Sequence, residues 1–258
     1  MKNIFKVTSA NLRLGHIICR LLLIALAFVV DFTLINIAAA FLLYLTYFTM
    51  AQSIMLHRYY SHRMFDFKFF AVKWIFVVIM MMSLRGSPIG WAYIHRLHHE
   101  STDTKEDPNS PHYKKFNFFE LNDSKNVSDN ISPFKIKNIL TKENLQLTDH
   151  YWIYALTVPL LFMIIDVNLF YFAWLLPVCF FQVCTTFFNY ANHMNIPGSY
   201  RNFEDGNVGN SVNNFLLWFL SMGEAWHNNH HRWPGNINFG ITTWEIDPSA
   251  TIIKVVRK

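Results

Sequence analysis

The sequence predicts an all-α integral membrane protein, with four transmembrane helices paired as two hairpins and a cytosolic helical cap that holds a histidine-rich metal site. Three observations predict it. The 258 residues are 52% hydrophobic and only 15% charged, too apolar for an ordinary soluble domain of this length. The apolar residues are concentrated: Leu21 to Leu56 contains one formal charge, Asp31, and Tyr151 to Phe188 contains only Asp166. Nine of the twelve histidines fall in four short groups outside the apolar cores.

Each apolar stretch is nearly twice the roughly 20 residues that one helix needs to cross a bilayer. A lone carboxylate at mid-bilayer costs several kcal/mol, so each Asp is placed at or near a hairpin turn. The expected spans are therefore about 15–31, 33–55, 151–166 and 169–189, in a single domain covering 1–258. The segment from Phe69 to Leu84 is apolar enough for a fifth span, but crossing there would put Lys73 in lipid and separate two histidine groups across the membrane. It is read as an interfacial or buried helix of a cap built from 56–150 and 190–258.

The basic residues give an independent test, because Lys and Arg accumulate on the cytoplasmic side. All 22 lie in 1–20, 58–142 or 201–258, and neither expected outer turn carries one. Both termini and the long middle segment are thus expected in the cytoplasm, in a bacterial inner membrane or the endoplasmic reticulum. The net charge of +5 reads as orientation and attraction to an anionic leaflet of membrane lipid, with no nucleic-acid partner. Cys19, Cys179 and Cys184 are too few and too scattered for a disulfide framework or a thiolate metal site. The N-terminus lacks the apolar core and cleavage site of a signal peptide, and the polar run from Asn117 to Ser132 reads as a solvated loop.

The histidine groups are HRYYSH (His57, His62), HRLHH (His95, His98, His99), NYANH (His193) and HNNHH (His227, His230, His231). On a helix, residues i, i+3 and i+4 share a face, so each H-x-x-H-H is expected to project three imidazoles toward one point. His57 and His62 are five apart, about 140° around an ideal helix, and so either serve different metals or need a distorted helix end. Asn189 and His193 lie four apart at the end of the fourth span, with Asn189 available directly or through water. Nine imidazoles exceed one tetrahedral zinc site, and two metals fit the count. Imidazole suits iron, copper and zinc alike. His16, His112 and His150 are isolated and read as structural. A metal transporter would need polar residues along a path inside the spans, and these offer only Asp31 and Asp166 at turns.

In the order and spacing of these boxes the chain resembles the membrane fatty-acid desaturases of the acyl-CoA delta-9 type, from about residue 40 to 252. The likeness extends to HRYYSHRMF, HHESTDTKEDP, SVNN (Ser211 to Asn214), GEAWHNNHH and WEIDP. A first box of H-x4-H is similar to the acyl-CoA branch; the related alkane hydroxylases and front-end desaturases usually carry H-x3-H. The resemblance implies two irons held by His57, His62, His95, His98, His99, His193, His227, His230 and His231, with Asn189 contributing through a water. It also implies an acyl tunnel, oxygen as co-substrate and a cis double bond in a long acyl chain. Without a cysteine cluster for an iron–sulfur group, electrons are expected from a separate ferredoxin or cytochrome b5 type donor with its reductase. The nearest alternative is hydroxylation or ketolation of an alkyl or carotenoid chain. Asp103, Asp107 and Glu224 are candidates for orienting the imidazoles. Arg58, Arg63, Arg96 and Lys105 are candidates for meeting an anionic head group or donor protein. Thr186 stands where the family often has Trp and Tyr190 where it often has Ser, which bears on tunnel shape.

Overall fold

The computed structural model describes residues 6–113, 131–206 and 208–258, and the solvated loop expected over 117–132 lies almost wholly outside them. The fold is helical, with one two-stranded antiparallel ribbon. Helix α1 (Ser9–Leu26) begins at a capping box, in which Thr8 accepts from the Asn11 backbone and the Asn11 side chain accepts from the Thr8 N–H. That cap starts the helix six residues before the expected span and leaves 27–32 as the turn. Helix α2 (Leu34–Thr46), capped by Thr33, continues without a break as a π-helix over Tyr47–Ser61. The rod therefore runs through the first histidine box, past its expected end at 55.

Helix α3 (Phe70–Met82) packs on the π-helix and on the later helix over Tyr151–Ile165. Its 13 residues reach about 20 Å, short of the roughly 30 Å of a bilayer core, and Lys73 pairs with Glu143 at 2.7 Å. Helix α4 (Pro88–Glu100) starts at a Ser87 cap with proline at its first position. Short α5 (Pro133–Ile136) leads to α6 (Lys142–Asp149), which meets α7 (Tyr151–Ile165) at a bend of 64°. Helix α8 (Val167–Phe170) passes through a π turn into α9 (Leu176–Ala191). The ribbon of β1 (Ser199–Tyr200) and β2 (Asn213–Asn214), then α10 (His227–Arg232) and α11 (Pro248–Val256), complete the chain.

Among the described residues three helices, Ser9–Leu26, Leu34–Ser61 and Val167–Ala191, are long and apolar enough to cross a membrane, and the bent α6–α7 pair makes a fourth if taken as one span. Their outer faces bare large apolar side chains such as Leu21, Ile24, Leu34 and Ile164. Both lone aspartates sit at turns: Asp166 caps α8 through the Leu169 N–H at 2.9 Å, and Asp31 donates its backbone N–H to Asn168 at 2.7 Å. The two turns thus meet at one end of the bundle. The inward faces build one core, dominated by aromatic rings between α9 and the rod of α2 and the π-helix: Tyr44 meets Phe48 edge to face, and Phe48 meets Phe181 and Phe188 in the same way.

Candidate metal centre

The π-helix answers the question that the first box posed. With hydrogen bonds running i→i+5, residues five apart stack over one another, and the His62 N–H donates to the His57 carbonyl at 3.2 Å. The two rings lie on the same side, 5.1 Å between centroids. Of the two readings that the spacing allowed, the distorted helix is the one found.

Nine imidazoles converge into two groups. His57, His62, His95, His99 and His230 form one; His98, His193, His227 and His231 form the other, and within each group the candidate ligand atoms lie within 4.8 Å of one another. This corrects the expectation that each H-x-x-H-H aims three rings at one point. On α4, His95 and His99 serve one group and His98 the other; on α10, His227 and His231 serve one and His230 the other. The reason is angular: i and i+4 differ by about 40°, whereas i+3 and i+4 differ by about 100° and diverge when two groups are available.

Carboxylates fix the orientation of three rings. His98 Nδ1–H donates to Asp107 at 2.9 Å, His193 Nδ1–H to Asp103 at 3.0 Å, and His57 Nδ1–H to Glu224. With Nδ1 held by a carboxylate, each ring turns its Nε2 inward as the edge left for a ligand. Those Nε2 atoms face further Nε2 atoms: His57 meets His230 at 2.9 Å, His98 meets His231 at 3.2 Å, and His193 meets His227 at 3.0 Å. Lone pairs aimed at a common point suit a cation between them, so the donor set fits two metal ions. Burial, and after it the neighbouring imidazoles, push His62, His95, His99, His227, His230 and His231 well below the usual histidine value. Neutral imidazole is the form that binds metal.

A family model described as fatty acid desaturase matches residues 33–245, a stretch that contains every one of these histidines. The chain belongs to the fatty acid desaturase family. That family consists of oxygen-dependent oxidoreductases acting on fatty acids. The chain is 29% identical over 236 residues to an acyl-CoA C20 Delta5-desaturase of Anemone leveillei, covering 84% of this chain and 69% of the relative. It is 27% identical to an sn-1 stearoyl-lipid 9-desaturase of Anabaena variabilis, covering 88% and 82%. Against the Delta-9 acyl-lipid desaturase 2 of Arabidopsis thaliana the identity is 28%, covering 77% and 64%.

The remaining motifs of the desaturase form the frame around the rings. Glu224 stands after a turn with Met222 at φ 51° and Gly223 at φ 97°, where a Cβ would come within 2.5 Å of Asp247, so glycine is required. Besides His57, Glu224 accepts from Ser53 at 2.5 Å and from Arg58. Burial would raise this carboxyl, but His57 and Arg58 more than offset it and hold it at about 2. Arg58 corrects a second expectation. It is 0% exposed, pairs with Asp247 at 2.7 Å, donates to the Ile237 carbonyl and lies over the Phe239 ring, so no head group reaches it. Arg96 is committed to the Tyr60, Ser61 and Lys135 carbonyls. Arg63 sits over Tyr59, and Lys105 is exposed.

Asp103 and Asp107 account for HHESTDTKEDP: Asp107 also accepts from the backbone of Asp103 and Asn109, closing the loop that presents both carboxylates. The asparagines of HNNHH turn away from the rings and, with Asn213 of SVNN and Glu245 of WEIDP, tie α10 to the ribbon. A cavity runs along the site, lined by His57, His95, His98 and His227 and by Phe48, Trp91, Thr186 and Phe188. Asn189 lines it too and donates to the Asn109 carbonyl at 2.8 Å, outside both histidine groups. His16 donates to the Leu84 carbonyl at 2.6 Å, a structural role, while His112 reaches the His193 carbonyl at 3.1 Å.

Proposed function

We propose that this protein is a fatty-acyl desaturase of the acyl-CoA delta-9 type, forming a cis double bond in a long acyl chain with oxygen, two electrons and a pair of irons. The observation that carries the proposal is the pair of adjacent, buried, all-imidazole sites opening on a cavity with aromatic walls. His57, His62, His95, His99 and His230 would hold one iron; His98, His193, His227 and His231 would hold the other, with Asn189 contributing through a water. When bound, the iron pair supplies oxidising power toward unactivated C–H bonds, which no side chain has.

The chain's own residues supply position and dryness. Asp103, Asp107 and Glu224 keep the Nδ1 protons of three rings fixed, so their Nε2 atoms stay aimed inward. Trp91 stacks on His95 with centroids 4.9 Å apart, and Phe48 and Phe188 wall the cavity, so an acyl chain threaded there is straightened against apolar surface beside the rings. The α1, α2, α7 and α8–α9 helices cross the membrane as two hairpins, with both termini and the histidine-bearing cap in the cytoplasm. The reading is supported by basic residues on one side and the paired Asp31 and Asp166 turns on the other. Electrons come from a separate ferredoxin or cytochrome b5 type donor and its reductase.

Expression in a desaturase-deficient host, followed by mapping of fatty-acid double bonds, tests the assignment. A new cis-unsaturated acyl chain is expected. A product that gains oxygen instead of losing hydrogen would replace desaturation by hydroxylation or ketolation.

A further inference from the structure

We propose that Arg85 and Arg13 form an anion anchor inside the same cavity, and that the acyl carrier this desaturase accepts bears phosphate. The proposal rests on the desaturase reading and names its substrate class. Arg85 lines the cavity, yet it has no hydrogen bond or ion pair among the described residues, and its Nε is buried without a partner. Arg58 shows what this chain does with a structural buried guanidinium: two carboxylates and a carbonyl surround it. Glu224, the one carboxylate among the described residues of the cavity lining, is already held by His57, Ser53 and Arg58. Among the described residues no carboxylate is left to neutralise Arg85, and a half-buried cation with an enclosed, unpartnered Nε is costly to keep.

The position is also built. Arg85 rides on a turn with Leu84 at φ 55° and Gly86 at φ 86°. Three helices pin that turn: His16 holds the Leu84 carbonyl, Trp174 donates to the Met82 carbonyl at 2.8 Å, and Tyr151 accepts from the Gly86 N–H at 3.1 Å. Arg13 and His16 share a face of α1 and both line the cavity, and Arg13 is exposed. A half-buried arginine and an exposed one along one cavity suit phosphate, whose oxygens accept from the planar guanidinium fork. Coenzyme A thioesters and phospholipids carry such a group; galactolipids and acylglycerols do not.

The test uses the metal-loaded full chain in neutral detergent, with radiolabelled palmitoyl-CoA, palmitoyl lysophosphatidic acid, 1-palmitoylglycerol and palmitate as probes. One or both phosphate probes should bind at least about tenfold more tightly than palmitoylglycerol and palmitate, and whichever binds separates the coenzyme A source from the phospholipid source. Arg85→Gln should abolish the preference, Arg85→Lys should keep part of it, and exposed Arg13→Gln should weaken it a few-fold. Arg85→Gln should also melt at or above the wild-type temperature, because it removes an unpaired charge; a structural arginine would give a lower one. Equal binding of the phosphate probes by wild type and Arg85→Gln would overturn the anchor, as would palmitate binding equal to theirs. Wild type that forms no double bond would refute the desaturase reading and leave this comparison standing.

Discussion

Replacing Glu224 by Gln tests the frame of the metal site at one atom group. The carboxylate is shared by His57, Ser53 and Arg58, and Arg58 keeps Asp247 as its one charged partner once the charge is gone. Removing one member of a buried charge network typically costs about 3–5 kcal/mol. The titration argument agrees: a carboxyl with an ordinary value of 4.5 held at about 2 corresponds to about 3 kcal/mol in favour of the charged form. For a chain of this size that is a fall of about 6–12 °C in melting temperature. His57 also loses the charged acceptor of its Nδ1–H, which should weaken metal binding about 10–100-fold. The pH dependence has a definite sign. A depressed carboxyl stabilises the fold above its unfolded value and loses that contribution as pH falls, so wild type and variant should differ fully at neutral pH and converge between pH 4.5 and about 2. Tryptophan-fluorescence melting in detergent and metal analysis after dialysis against chelator measure both effects. A variant within about 2 °C of wild type that keeps its metal would show that Glu224 neither orients His57 nor balances Arg58.

Three further outcomes are expected. His193→Ala should reach the membrane in normal amount but hold metal at least about tenfold more weakly and lose most double-bond formation, while exposed His150→Ala keeps both; two irons retained in the His193 variant would remove this ligand from the proposed set. The metal-free protein should lose stability as pH drops below 6.5, because unfolded histidines take up protons that the buried ones, held below that value, refuse; a flat acid limb in a denaturant titration would contradict this. Reporters near Asp31 and Asp166 should be external and terminal tags cytoplasmic, and a cytoplasmic reporter at either turn would break the four-span arrangement.

The apolar runs and the histidine spacing made the helical architecture and the nine rings legible from residues alone, because hydrophobic length and imidazole clustering are local properties. Asp103, Asp107 and Glu224 were legible as candidates through the general need of bound histidines for a carboxylate. Three features were hidden for physical reasons. The π segment depends on tight packing of Tyr47–Ser61 on all sides, and no single residue announces it. The division of each box between two groups depends on how α4 faces α10, a tertiary relation. Arg58 looked like any cytoplasmic basic residue, since its partner Asp247 lies 189 residues away.

Because neighbours in sequence, His98 with His99 and His230 with His231, send their rings to different groups, the gap between the two groups is gauged by the width of a helix and not by loops. Two such gauges, α4 and α10, close on the gap from separate directions. Neither group can be widened, tilted or vacated alone without dragging its companion. An engineer who wants to retune one ion will therefore find the other moving in step, and the pair is better regarded as a single inherited part.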